Sequence, residues 1–352
     1  MGTVSNKGRL GAAFGLLAIL AAAILAAAGS AASPSALEHA IQVQEQHSDE
    51  LLDRGAIVGT GVGENAAGTP EIVVYAERPV QVASTMAGVP VDVEVTGPIT
   101  AGKAAGKGGK PGGGKPGGGS TEPGPTGTFT RPVPIGISTG NAGECSAGTI
   151  GARVKDGSGN VYALSNNHVY ALENTAPLGS TVLQPGRYDT GCAFDEKNSI
   201  GTLSAFKPIA FSSTASNVVD AAIAKSSTAA LGNSTPASGY GIPSSTTVAA
   251  KVGQAVQKFG RTTSLTTGKV TSINGMVEVS YGAGVARFVN QVFVESRKAF
   301  LKAGDSGSLL VTQDANANPV GLLFASDSSG RFAIANPIGP VLAEFGVSID
   351  GS

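Results

Sequence analysis

The sequence predicts a mainly β protein whose main body, residues 127–352, forms barrels or a sandwich. This stretch contains about a dozen short apolar runs of strand length, separated by turn-forming residues. The whole chain has 51 glycines and 19 prolines but no tryptophan, which is typical of turn-rich rather than helical proteins. Only the segment near Pro340–Phe345 predicts a short helix in this region. We therefore expect many short strands.

The charge of the chain is small in sum but unevenly distributed. The net charge is −1, which gives no bulk attraction to nucleic acid or to an anionic membrane. Residues 35–100 carry two basic and ten acidic groups, a net of −8, and residues 101–121 carry four lysines and no acid. Residues 127–352 carry 16 basic and 14 acidic groups, a net of +2. These differences predict three separate segments.

Residues 1–32 have the pattern of a secretory signal peptide. Lys7 and Arg9 precede an uncharged apolar run from Leu10 to Ala28, and small residues suited to cleavage follow. The run is nearly long enough to span a bilayer, so an uncleaved membrane anchor is the alternative. In either case the sequence predicts export, and with cleavage a secreted, extracellular protein.

Residues 35–100 predict a small α+β module. Ser35 and Glu38 have the spacing of a capping box, and a helix follows to about Asp53. Apolar runs at 56–62, 71–76 and 89–95 predict three strands. The glycines at 59, 61 and 63 do not complete a dinucleotide-binding loop, because position 66 is alanine.

Residues 101–126 are dominated by glycine, lysine and proline. Such a segment cannot bury an apolar core, so we expect a flexible linker. Its Gly-Lys pairs are not phosphate-binding loops, because no serine or threonine follows the lysine.

The stretch Gly304–Leu309 reads Gly-Asp-Ser-Gly-Ser-Leu and has two interpretations. It could be an ordinary tight turn, because these residue types are common in turns. It could instead present Ser306 as a nucleophile while the N–H groups of Gly304 and Ser306 form an oxyanion hole. Glycine permits the backbone conformations that the second arrangement requires.

Two other scarce residues favour the nucleophile. His168 is the only histidine after residue 47, and a serine nucleophile needs a base with a pKa near neutrality. Asp220 is the only aspartate between residues 197 and 304, within an apolar run where an unpaired charge is costly. Each alone could be structural, His168 in a core and Asp220 as a turn cap. Together they predict a catalytic triad of His168, Asp220 and Ser306.

Residues 130–350 resemble the chymotrypsin/trypsin-like serine peptidases, particularly the bacterial exported members. The matching segments are Leu164–Val169, Asp220–Ile223, Gly260–Gly268 and Gly304–Leu309. The resemblance implies two perpendicular six-stranded antiparallel β-barrels, with His168 and Asp220 in the first and Ser306 in the second. It also implies peptide hydrolysis through an acyl-enzyme, with no cofactor and no metal.

The chain departs from that family at several positions. Ser308 stands where the family has glycine, and no new N-terminus of the Ile-Val-Gly-Gly type precedes the domain, so we expect Asp305 to bond locally rather than to a buried α-amino group. Phe300 lies six residues before Ser306, at the floor of the family's specificity pocket, and predicts a preference for small or apolar side chains. An α/β-hydrolase is excluded, because position 308 breaks G-x-S-x-G and no histidine follows Ser306.

The two cysteines, Cys145 and Cys192, lie on either side of His168 in the sequence. In an exported protein they are expected to form a disulfide, which would stabilise the chain by roughly 3–4 kcal/mol. Free thiols are the alternative.

The sequence as a whole predicts an exported serine endopeptidase that acts as a monomer on protein or peptide substrates. We expect no nucleic-acid partner and, unless the signal is retained, no stable membrane partner. The alternative is a catalytically silent extracellular binding protein on a double-barrel scaffold. The front module would be a pro-region, which assists folding or shields the cleft, or a separate adhesion module.

Overall fold

The computed structural model describes residues 34–105 and 122–352. The predicted signal peptide and residues 106–121 of the predicted linker lie outside the described residues. The front of the chain forms one helix and six strands: α1 (Pro34–Leu52), β1 (Ile57–Glu64), β2 (Pro70–Ala76), β3 (Thr85–Met86), β4 (Val89–Val95), β5 (Thr100–Ala101) and β6 (Ala104–Ala105). Within the described ranges, no helix is long and apolar enough to cross a membrane.

Strands in the middle of the chain form a first ring. Its elements are β7 (Ser138–Asn141), β8 (Ser146–Thr149), β9 (Ala152–Asp156), β10 (Val161–Ser165), α2 (Asn167–Tyr170), β11 (Thr181–Leu183), β12 (Ser199–Phe206) and β13 (Ala222–Lys225). The antiparallel pairings run β9-β10-β13-β12-β11-β7-β8. Only Ile150 and Gly151 separate β8 from β9, so the two act as one bent strand and the ring has six strands.

The C-terminal strands form a second ring. Its elements are β14 (Ala255–Gly260), β15 (Ser264–Ser280), β16 (Val285–Glu295), β17 (Leu309–Thr312), β18 (Pro319–Ser326) and β19 (Phe332–Pro337), followed by α3 (Ile338–Phe345) and β20 (Val347–Ile349). The order β14-β17-β18-β19-β16-β15 returns to β14 through a β14–β15 pairing, and β20 pairs with β9 of the first ring. The predicted mainly β fold is confirmed, with one six-stranded antiparallel ring in each of two larger sheets. Their perpendicular arrangement stays a prediction.

Strand β15 is longer than the sequence pattern predicts. The pattern predicts two strands, 267–273 and 276–281, with Asn274-Gly275 between them. The structure has one strand of 17 residues, with irregular register against β16 around these two residues. Asn274 takes a left-handed conformation, φ 53°, so residues that often form turns here form a bulge.

The length of β15 joins the front of the chain to the second ring. β1 pairs antiparallel with β15, β2 pairs with β1, and β4 runs parallel to β2. A Cβ on Gly59 would lie 2.9 Å from the carbonyl oxygen of Met276, and one on Gly61 would lie 2.9 Å from Cβ of Ser272. These glycines therefore allow β1 to approach β15 closely. The α+β content predicted for the front is present, and its sheet is continuous with that of the second ring.

The front strands are apolar on both faces. One face packs under α1, where Val43, Ile72 and Val74 belong to one buried cluster. On the other face Tyr75 contacts Phe293 and places its hydroxyl 2.7 Å from Oγ of Ser272 in β15. Because this second cluster contains side chains from both parts, the front and the second ring share a core. The predicted domain boundaries stay predictions.

Candidate active site

His168 and Asp220 meet between the ends of two first-ring strands. His168 lies in α2, directly after β10, and Asp220 precedes β13, which pairs with β10. Nδ1 of His168 lies 2.6 Å from Oδ2 of Asp220, and both side chains are buried. A carboxylate at Nδ1 fixes the orientation of the imidazole and directs Nε2 away from the pair. This is the arrangement of a general base with its orienting acid.

Asp220 is held by further hydrogen bonds from several elements. The backbone N–H of His168 donates to Oδ1 at 3.2 Å, and the hydroxyl of Tyr281 donates to Oδ2 at 2.9 Å. The amide of Asn166 donates to the Asp220 carbonyl, and the Asp220 N–H donates to Asn336. Burial, and then the charge of Asp220, raise the pKa of Tyr281 well above its usual value, so its hydroxyl keeps the proton that it donates.

Ser306 lies in a tight turn before β17. Gly304 and Gly307 have φ of +95° and +93°, a backbone conformation that residues other than glycine rarely adopt. A Cβ on Gly307 would overlap Ser165 and Thr149, so this glycine is also required by space. Ser308, which replaces the family's glycine, is accommodated: its hydroxyl donates to the Asp305 carbonyl at 2.5 Å.

Beneath this turn Asp305 is bonded locally, as the sequence predicts. Oδ1 accepts from the N–H groups of Thr262 and Thr263 at 2.7 and 3.1 Å, and Oδ2 accepts from the N–H of Lys302 at 2.9 Å. The ammonium of Lys258, wholly buried in β14, lies 3.6 Å from Oδ2. Burial lowers the pKa of Lys258, and Asp305 opposes that shift. Lys258 thus supplies the buried positive charge beside Asp305.

A segment of the chain itself lies against Ser306. The carbonyl oxygen of Gly102 accepts from the N–H of Gly304 at 2.8 Å and from Oγ of Ser306 at 2.9 Å. The serine hydroxyl also lies 3.3 Å from the carbonyl oxygen of Phe324. Among the described residues, Nε2 of His168 is buried without a hydrogen-bond partner, and Ser306 makes no hydrogen bond to it. The hydroxyl therefore points to the Gly102 carbonyl rather than to the base.

The other predicted site residues lie as follows. Cys145 and Cys192 form a disulfide, with their Cα atoms 5.0 Å apart, which confirms the pairing. Phe300 is fully buried in the core of the second ring, and its role as a pocket floor stays a prediction. The Gly304 N–H donates to a carbonyl oxygen, as an oxyanion-hole group would, whereas the Ser306 N–H has no acceptor among the described residues. The same part contains no cluster of side chains suited to hold a metal.

Three features of the site were not predicted from the sequence. Lys258 stands between Gln257 and Phe259 in β14, and this local sequence is only a weak signal for a buried charge. Tyr281 follows a strand at no motif spacing that would place it beside Asp220. Ala101–Ala105, the start of the predicted linker 101–126, contains strand residues of β5 and β6. Nothing in that local composition indicates the distant strands with which it pairs.

Comparison with known proteins adds a partial family match and a set of solved structures. The family described as Nal1 C-terminal domain matches residues 210–348, less than half of the chain. No curated protein matches. Thermobifida fusca protease A is 19% identical, with a TM-score of 0.44 over 62% of this chain and 100% of that one. Cellulomonas bogoriensis chymotrypsin is 21% identical, with a TM-score of 0.42 over 62% and 99%. At such identities and TM-scores the likeness does not transfer an activity.

Proposed function

We propose that the chain is a serine endopeptidase that hydrolyses peptide bonds through an acyl-enzyme on Ser306. His168 is the general base and acid, Asp220 orients His168, and the N–H groups of Gly304 and Ser306 stabilise the oxyanion. Protein or peptide substrates need no cofactor for this chemistry. The disulfide accords with an oxidising, extracytoplasmic location, where a secreted enzyme would act.

One observation carries this proposal. The hydroxyl of Ser306 and the N–H of Gly304 both lie within hydrogen-bond distance of a single peptide carbonyl oxygen, that of Gly102. A peptidase must bring a nucleophile and an oxyanion donor to the same carbonyl group. The geometry of an ordinary turn does not require both groups to face one peptide bond of another segment.

The reaction requires one change from the described arrangement. Ser306 must turn its hydroxyl from the Gly102 oxygen to Nε2 of His168, which is buried and without a partner in the described residues. His168 then takes the proton as Oγ attacks the carbonyl carbon, and it later gives that proton to the leaving amine. Asp220 keeps its charge and stabilises the imidazolium.

The second candidate is the silent binding protein. It is favoured by the same hydroxyl, which donates to Gly102 rather than to His168, and by the 1% exposure of Ser306. In that case the cleft would serve only to hold a peptide segment.

Fluorophosphonate labelling distinguishes the two candidates. Because the Gly102 carbonyl lies against Ser306, the probe is applied to the full chain carrying Gly102→Val, whose branched side chain would meet Ala303 and weaken the binding of that segment. We expect stoichiometric label on Ser306, located by mass spectrometry, and none when His168→Ala is added. A folded Gly102→Val protein that takes no label would contradict the proposed enzyme and favour the binding protein.

A further inference from the structure

Residues 99–102 approach Ser306 as an added strand of the second ring. Thr100 and Ala101 of β5 pair antiparallel with Ser326 and Ala325 of β18. The Ile99 carbonyl accepts from the N–H of Ser280 at 3.0 Å, and the Ile99 side chain is buried in the core shared with the front strands. Backbone pairing in this form is a usual way to hold an extended peptide in register.

Residues 104 and 105 continue the same path on the first ring. Ala104 and Ala105 of β6 pair antiparallel with Ala147 and Ser146 of β8. The segment is therefore held by one ring before the Gly102–Lys103 bond and by the other ring after it. A strand fixed on both sides keeps this bond, and no neighbouring bond, at Ser306.

The position of Gly102 favours a residue without a side chain. A Cβ on Gly102 would lie 3.2 Å from Cα of Ala303 and 3.4 Å from its Cβ. Such contacts are tighter than ordinary van der Waals separations, so larger side chains would push the carbonyl away from Gly304. A glycine here leaves the carbonyl between the hydroxyl and the N–H donor.

Lys103 is bound by two carboxylates on the leaving-group side. Its ammonium lies 2.7 Å from Oε2 of Glu144 and 3.9 Å from Oε1 of Glu173, and it donates to the His168 carbonyl at 3.3 Å. The Lys103 side chain is only 14% exposed. Glu173 also accepts from the Ala283 N–H at 2.7 Å, so its carboxylate is held independently of Lys103, and Glu144 lies next to the disulfide-bonded Cys145. Two carboxylates within 4 Å of one ammonium favour a positively charged side chain at this position.

From this geometry we infer that the chain cuts its own Gly102–Lys103 bond, with Glu144 and Glu173 forming a subsite for lysine on the leaving-group side. The inference rests on the proposed function. Oγ of Ser306 forms an ester with the Gly102 carbonyl carbon, the bond to the Lys103 nitrogen breaks, and His168 passes the serine proton to that nitrogen. Water then hydrolyses the ester and leaves a Gly102 carboxylate and a free amine on Lys103.

The sequence around this bond makes the inference specific. All four lysines between residues 101 and 121, at positions 103, 107, 110 and 115, directly follow a glycine. A preference for glycine followed by lysine would by itself allow cleavage at any of the four. Strand pairing on both sides selects the first one alone.

The test is to map new N-termini over time in the full chain made by cell-free synthesis under oxidising conditions. We expect one new N-terminus, at Lys103, in the wild type and none in Ser306→Ala. A wild-type chain that stays intact at this bond, or is cut in a Ser306-dependent manner only at another Gly-Lys bond, overturns the inference.

Labelling of Gly102→Val separates the inference from the proposed function, and three further substitutions test the subsite. An uncut wild type together with fluorophosphonate label on Ser306 of Gly102→Val would leave the peptidase standing without self-cleavage. An uncut wild type together with no label on Gly102→Val would contradict both the self-cleavage and the proposed peptidase.

Lys103→Glu tests the subsite and is expected to slow the cleavage by about tenfold or more. Adding Glu144→Lys is expected to restore part of the rate, because residues 103 and 144 again carry opposite charges. Lys107→Glu, a matched lysine after glycine, is expected to leave the rate unchanged; equal rates for both lysine variants would rule out the subsite.

Discussion

Asp220 and Asp305 are two buried aspartates that differ in the group that their carboxylate contacts. Both side chains are fully buried and both accept backbone N–H groups. Asp220 faces an imidazole and a tyrosine hydroxyl at the cleft, whereas Asp305 faces the ammonium of Lys258 inside the second ring.

This difference in partner separates a reactive site from a structural one. Asp305 already has a fixed cation and four hydrogen-bond donors, so its charge holds the turn that contains Gly304 and Ser306. Asp220 has a partner that can gain and lose a proton, and its charge is available to stabilise that partner when it becomes positive. Burial alone therefore does not identify a catalytic carboxylate; the chemistry of its partner does.

Exchanging Asp220 for asparagine tests the reactive site and is expected to have the largest effect. Asp220→Asn keeps the size of the side chain but favours the wrong tautomer of His168, so kcat falls by about four orders of magnitude while the fold is retained. The measurement is peptide or ester turnover beside a thermal melt. Near wild-type turnover would remove Asp220 from the mechanism.

Removing the cation from Asp305 tests the structural site. Lys258→Met leaves a buried carboxylate without its counter-charge, so we expect a loss of about 3–5 kcal/mol in the free energy of unfolding, measured by denaturant titration. The control is Lys258→Met with Asp305→Asn, which removes both charges and is expected to recover part of the loss. A single variant as stable as the wild type would show that the ion pair does not stabilise the turn.

The hydroxyl of Tyr281 is expected to have a smaller effect, confined to the reactive site. Tyr281→Phe removes one hydrogen bond to the Asp220 carboxylate, and we expect kcat to fall by about tenfold with little change in KM. Tyr75→Phe is the matched control. The Tyr75 hydroxyl forms a hydrogen bond with the hydroxyl of Ser272, and Tyr75 belongs to the apolar cluster against which Tyr281 packs, but it does not contact Asp220. Equal losses of kcat in the two variants would assign Tyr281 a merely structural role.

A third carboxylate, that of Glu94 in β4, has another acid as its neighbour. Its replacement is expected to have the smallest effect, on the pH dependence of stability. Burial, and then the side chain of Glu295, raise the pKa of Glu94 from 4.5 to about 8. Asp92 and Glu71 add to this shift. The folded chain therefore holds a proton that the unfolded chain releases, and stability falls as the pH rises from about 4.5 to about 8.

Glu94→Gln is expected to flatten that dependence. We expect the Tm of the wild type to fall more than the Tm of the variant between about pH 6 and pH 8. The exposed Glu64, changed to glutamine, serves as the control and should behave as the wild type. A wild-type Tm that rises over this range, relative to Glu94→Gln, would contradict a protonated Glu94.

The sequence located much of the site because the residue types that it needs are scarce here. His168 is the only histidine after residue 47, Asp220 lies in an apolar run, and Gly304 and Gly307 lie on either side of Ser306. The structure brings His168 and Asp220 into contact and places the Ser306 hydroxyl beside a peptide carbonyl. Their catalytic roles stay predictions until activity is measured.

What the sequence did not predict depends on pairing between distant residues. Lys258 contacts Asp305 because β14 and the turn before β17 meet in the ring, and Tyr281 contacts Asp220 because β15 runs past the first ring. The path of Ala101–Ala105 is set by β18 and β8, far away in sequence. Local composition, rich in alanine, glycine and lysine, is equally suited to a flexible linker.

The most direct test of the proposed enzyme is an active-site titration of Gly102→Val with a p-nitrophenyl ester. We expect a rapid burst of one p-nitrophenol per protein molecule, followed by slow turnover, because Ser306 is acylated faster than the acyl-enzyme is hydrolysed. The burst should be absent from the same protein with Ser306→Ala. A folded protein without a burst, or with one that persists in the Ser306→Ala variant, would contradict a nucleophilic Ser306.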